Sequence, residues 1–197
     1  MEAESMKLRS SLMITTGVLL GAAVLAFAGC GGNDSADSTA SSVEFDRAFI
    51  DAMVPHHESA IAMAQAAKEA GLSEPELVKV ADDILATQQD EIDQMKQWRA
   101  EWFGSSTIDP SGAAALGMSE SEMGMEHDAE AMMNSTNADT DFAQLMITHH
   151  QGAIAMAKLA KQKAEHGELK ELADGIIDAQ KREIDVMGPH ASGMNHG

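Results

Sequence analysis

Residues 53–64 read MVPHHESAIAMA and residues 146–157 read MITHHQGAIAMA, so one pattern, Met-x-x-His-His-x-x-Ala-Ile-Ala-Met-Ala, is written twice, 93 positions apart. The match extends beyond the core. Asp46, Phe49, Met53, His56, His57, Ile61 and Met63 correspond to Asp139, Phe142, Met146, His149, His150, Ile154 and Met156. A second block repeats at an offset of 92: ELVKVADDILATQQDEIDQM at 76–95 becomes ELKELADGIIDAQKREIDVM at 168–187. Gln88, Glu91, Ile92, Asp93 and Met95 thus match Gln180, Glu183, Ile184, Asp185 and Met187.

Both blocks have helical period. Phe45, Phe49, Met53, His56, Ala60, Met63 and Ala67 fall at steps of four and three, one helix stripe that Gly71 ends. Ser73 opens a second helix, with Pro75 in its first turn and Glu76 completing a Ser-x-x-Glu capping pattern. Its stripe is Leu77, Val80, Ala81, Ile84, Gln88, Glu91, Ile92 and Met95, running on to Trp98 and Trp102 before Gly104. Pro55 either kinks the first helix beside His56 or stands at the start of a helix that begins late. Four prolines and few β-branched runs argue against a large sheet.

The expected fold is all-α: two αα-hairpins, 44–103 and 139–188, each with one apolar stripe it cannot bury alone. Packed together they make a four-helix bundle with a pseudo-two-fold axis. Residues 104–138 form a long connection without period, and 189–197 a His/Met tail.

About 100° per residue separates positions around a helix. With Met53 at zero, His56 falls near about −60° and His57 near about +40°, on either side of the buried stripe. Met53 and His57 can meet as an i, i+4 pair. Glu91 faces His56/His57 from the partner helix, and Glu183 faces His149/His150; a glutamate on a buried stripe is costly unless paired. These pairs are either His–Glu hydrogen bonds or shared metal ligands. A bundle built only for stability would place Leu at such positions.

The candidate metal ligands are therefore His56, His57, His149, His150, Met53, Met63, Met146, Met156, Glu91, Glu183, Met95 and Met187. Imidazole suits copper, zinc, nickel and iron, whereas thioether sulfur selects copper(I), and silver(I) by the same softness. Copper as copper(I) is the expected ion; zinc and iron fit the donors less well. Any one buried Met also reads as core packing. Met118, Met123, Met125, His127, Met132 and Met133 in the connection, with His190, Met194 and His196 in the tail, are expected as exposed auxiliary groups for ion capture.

Lys7 and Arg9 precede the apolar run LMITTGVLLGAAVLAFAG, which ends at Cys30, the only cysteine. This reads as a lipoprotein signal peptide over 1–29 with lipidation at Cys30. Phe27 departs from the usual Leu of such a site, and an uncleaved anchor is the alternative. GGNDSADSTASS then reads as a flexible tether within 30–43. The chain is expected outside the cytoplasm, anchored to the cell membrane by lipid. A formal charge of −19 attracts cations and repels nucleic acid.

The doubled Asp-x-x-Phe-x-x-x-Met-x-x-His-His motif, each followed by Gln-x-x-Glu-x-x-x-Met, resembles the DUF305 family over about residues 43–188. The resemblance implies a ferritin-like bundle, and a copper- and silver-binding or resistance role outside the cytoplasm for some members. It implies metal binding by His56, His57, His149 and His150 with the flanking methionines. No established enzyme activity comes with it.

Three functions compete. The first is a copper(I)-sequestering or transfer protein, whose further partners would be a copper donor or acceptor protein, or a second copy of the chain. The second is a ferritin-like di-iron or di-manganese oxidoreductase, which ordinarily needs about four carboxylates and Glu-x-x-His on two helices; no Glu-x-x-His lies on these stripes. The third is a metal-free interaction module.

Overall fold

The computed structural model describes residues 34–126 and 129–192. Four long helices carry the repeats. The first hairpin is α1 (Asp34–Glu69) and α2 (Pro75–Phe103). Two one-turn helices, α3 (Gly112–Leu116) and α4 (Ala129–Met133), interrupt the connection. The second hairpin is α5 (Ala138–Lys163) and α6 (Gly167–Met187), followed by a 3-10 turn at His190–Ser192. Among the described residues there is no strand, and no helix is long and apolar enough to cross a membrane.

Helix α1 begins at Asp34, well before Phe45, so most of the expected tether is helical backbone. The sequence explains this: after Gly32 no Gly or Pro occurs before Pro55 to break the helix. The helix also runs straight through Pro55 in sequence rather than starting after it. Pro55 offers no N–H to the Asp51 carbonyl. At this turn Gly112 packs on the main chain, where an added Cβ would stand 2.5 Å from the Asp51 carbonyl carbon.

Left-handed glycines end the first hairpin's helices where expected, Gly71 at φ 96 and Gly104 at φ 78. The capping box at Ser73 does not form. Instead Asp139, at the start of α5, accepts from the Ser73 and Glu74 N–H groups at 2.8 and 2.9 Å and from the Ser73 hydroxyl at 2.8 Å. Asp46, on α1, accepts from the Glu165 and His166 N–H groups at 3.0 and 2.9 Å, and pairs with His166 Nδ1 at 2.6 Å. Each hairpin's first helix thus caps the second helix of the other. A carboxylate accepting two N–H groups outcompetes a hydroxyl for the role. These contacts make α1 and α5 antiparallel, and they explain why Asp46 and Asp139 repeat. The His166 ring in turn stacks on Trp102, with centroids 3.7 Å apart. Asp46→Ala and Asp139→Ala are each expected to cost about 1–2 kcal/mol, read from urea midpoints; unchanged midpoints in both would contradict the reciprocal capping.

The connection is packed, against the expectation of a loose, exposed segment. Arg99 Nε and Nη2 donate to the two Asp51 oxygens at 2.9 and 3.3 Å, and Arg99 Nη1 donates to the Ser105 carbonyl at 3.0 Å. The Asp109 N–H also donates to Asp51, at 3.1 Å. Met123 and Met132 are buried, and Met118 and Met125 pack against the core, leaving Met133 as the exposed one at 60%. Periodicity could not reveal this, because the segment docks through close approach at glycines and not through a helical stripe.

The core has two apolar parts. One holds Phe49, Met53, Ile92, Met95, Met156 and Ile176; the other holds Met63, Leu77, Ile84, Phe142, Met146 and Met187. In every long helix the change from one part to the other falls at the polar repeat positions: His56/His57, Gln88/Glu91, His149/His150 and Gln180/Glu183. A polar layer therefore crosses the middle of the bundle.

Candidate metal centre

Helices α1 and α5 each deliver two adjacent histidines to this layer, all four at most 1% exposed. The rings form a chain. His56 and His149 meet across the pseudo-two-fold with centroids 3.8 Å apart and planes 40° apart. His57 lies 6.3 Å from His56, and His150 lies 6.4 Å from His149.

Outer ring nitrogens are held by carboxylates. His57 Nε2 is 2.7 Å from Glu91 Oε2, and His150 Nε2 is 2.5 Å from Glu183 Oε2. Both glutamates are partly exposed, 21% and 15% at the side chain. Glu183 also lines an open groove of about 410 Å³ between α2 and α6, so it joins buried His150 to solvent. His56 Nε2 lies 2.9 Å from the Met123 main-chain carbonyl.

The inner nitrogens have no such partners. Nδ1 of His56, His57, His149 and His150, Nε2 of His149, and the side-chain oxygens of Gln88 and Gln180 are buried without a hydrogen bond. Burial, then the neighbouring His57, pushes His56 down to about 3. Burial, then His56 and His150, holds His149 well below the ordinary histidine value. Both are neutral imidazoles, the form that offers a lone pair to a metal. Orphaned buried polar groups are rare in folded proteins and cost roughly 1–3 kcal/mol each.

The domain of unknown function DUF305 matches residues 46–190. The chain belongs to the DUF305 family. Solved structures agree. CopM in its Cu(I)-bound form is 33% identical, covering 76% of this chain and 97% of that one, with a TM-score of 0.64. CopM in an Ag-bound form obtained by co-crystallisation is also 33% identical, over 76% and 97%, at 0.63. A putative secreted DUF305 protein from Streptomyces coelicolor is 28% identical over 74% and 91%, at 0.64. No curated protein matches the chain.

In this DUF305 protein the expected ligands divide by position. The four histidines and both glutamates come together in the polar layer. Met53, Met95 and Met156 lie in one apolar part, and Met63, Met146 and Met187 in the other, all at most 1% exposed. Among the described residues no three His, Cys, Asp or Glu side chains stand ready to hold one ion together. The polar layer thus holds four imidazoles and two carboxylates, with the thioethers in the apolar parts on either side. Among the described residues the auxiliary groups do not gather into a second cluster: Met123 and Met132 are buried in the core, Met118 and Met125 pack against it, and His190 Nε2 lies 3.2 Å from Glu76. Cys30, His127, Met194 and His196 lie outside the described residues.

Two features escaped the sequence reading. Gln88 and Gln180 were visible as repeated stripe residues, but their orphaned oxygens were not. The Met123 carbonyl left no mark of its own. The signal for it was a mismatch in the repeat: Gly152 stands where the first copy has Ser59.

Proposed function

We propose that this chain is an extracytoplasmic, lipid-anchored protein that binds copper(I), and silver(I) by the same chemistry, for sequestration or transfer. The observation that carries the reading is the set of buried imidazole nitrogens without partners in a core rich in thioethers. The copper- and silver-bound forms of CopM, at 33% identity, support it. His56, His57, His149 and His150 would hold the ion through their inward nitrogens. The buried methionines on either side would supply soft sulfur. Glu91 and Glu183 would orient His57 and His150 from behind, as carboxylates do for metal-bound histidines. A bound soft cation would satisfy donors that otherwise cost stability. The acidic surface would concentrate cations around the bundle.

Copper(I) titration against a competing chelator, under reducing conditions, tests this. At least one tight site is expected in the wild-type protein. It should be lost in the His56→Leu, His149→Leu double variant, with helicity by circular dichroism retained. Saturation with free ion at 100 times Kd should add about 2.7 kcal/mol of stability. The absence of a tight site, or equal binding by the double variant, would overturn the proposal.

A further inference from the structure

His56 and His149 occupy equivalent places in the two halves, yet their surroundings differ. His56 Nε2 has the Met123 carbonyl at 2.9 Å, while the connection offers no acceptor to His149, whose ring closes no hydrogen bond and has only the His56 main chain beside it. That carbonyl comes from the connection, which has no counterpart in the repeat. It reaches the layer by lying in a notch on α5. A Cβ at Gly152 would stand 1.9 Å from Met123 O, and one at Gly124, whose φ is +69, would stand 2.4 Å from the Thr148 carbonyl oxygen. Neither could be added without moving backbone. The first copy carries Ser59 where the notch would be, so notch and strap occur once.

A carbonyl oxygen can only accept, so His56 Nε2 carries the hydrogen. In a neutral ring the lone pair is then on Nδ1, which is buried and unpartnered. We propose that the Met123 carbonyl, seated by Gly152 and Gly124, is a positioning group that fixes His56 in the tautomer presenting Nδ1 to a soft metal ion. The proposal rests on the copper(I) and silver(I) reading of the histidine layer. Glu91 and Glu183 act on His57 and His150 through side-chain carboxylates. The strap does the same for His56 with a neutral main-chain acceptor, which adds no charge beside a neutral imidazole. The two halves, alike in sequence, thereby become unequal: the strap presets one central histidine and does not reach the other.

Long-range ¹H–¹⁵N NMR on the histidine-labelled, metal-free full chain tests this directly. His56 is expected with the hydrogen on Nε2. Gly152→Ala should displace the carbonyl and leave His56 in mixed tautomers, with His57 and His150 unchanged. Met123→Ala, which keeps the carbonyl, should keep the tautomer; this variant and the wild-type spectrum serve if Gly152→Ala does not fold. Silver(I) should shift His56 Nδ1 in the wild type, and its affinity should fall roughly 10–100-fold in Gly152→Ala. A wild-type His56 with its hydrogen on Nδ1, or an unaltered tautomer in folded Gly152→Ala, would overturn the proposal. If the tautomers are as stated but silver moves no histidine, the metal reading fails while the strap's hold on His56 is supported.

Discussion

Metal-free protein should lose stability steeply as the pH falls below about 6.5, the ordinary value for histidine. His56 is held down to about 3 in the fold, and His149 is also held well below its ordinary value. The unfolded chain therefore binds more protons than the native one through this window, and stability falls as pH falls. Each such histidine contributes about 1.4 kcal/mol of loss per pH unit. For His56 the loss amounts to about 5 kcal/mol by pH 3, a large fraction of the stability of an ordinary domain. The window from pH 7.5 to 5.5 spans the ordinary histidine value. Urea unfolding over this range should show about 2–3 kcal/mol of loss for the two histidines together. In the His149→Leu variant the slope should be roughly halved. A flat profile in wild-type protein would contradict the neutral, buried histidine layer.

Asp51→Ala should cost about 3–5 kcal/mol. The Asp51 and Arg99 side chains are 2% and 4% exposed and bonded to each other. Removing the carboxylate leaves a buried guanidinium without its counter-ion, and leaves the Asp109 N–H without its acceptor. It also loosens the start of the connection, which Arg99 holds through the Ser105 carbonyl. Faster proteolysis within 105–112 should accompany the loss in urea midpoint. Replacing both partners, Asp51→Leu with Arg99→Met, should recover most of the stability, since apolar pairs of similar volume often match a buried ion pair. A loss below about 1 kcal/mol for Asp51→Ala would mean that the pair is weaker than its burial implies.

Much of the site was legible in one dimension. Helical spacing put His56 and His57 on the buried stripe, and the repeat put His149 and His150 opposite. The same spacing named Glu91 and Glu183 as their partners, because helix geometry is regular enough to fix which residues share a face. The Ser73 capping pattern misled for the opposite reason. A local motif competes with distant acceptors that spacing cannot see, and Asp139 displaced it. The connection misled too: its methionines pack through Gly112, Gly124 and Gly152, whose small size admits backbone contact without any periodic signature.

The sequence by itself determined the four helices, the two-fold repetition and the polar residues each helix carries inward, since all three follow from periodicity. Only the tertiary structure decided that those residues meet in one layer across the bundle, that each hairpin caps the other, and that the strap favours His56 over His149. Those outcomes depend on which backbones approach within a few ångströms, and close approach between segments far apart in the chain leaves no period to read.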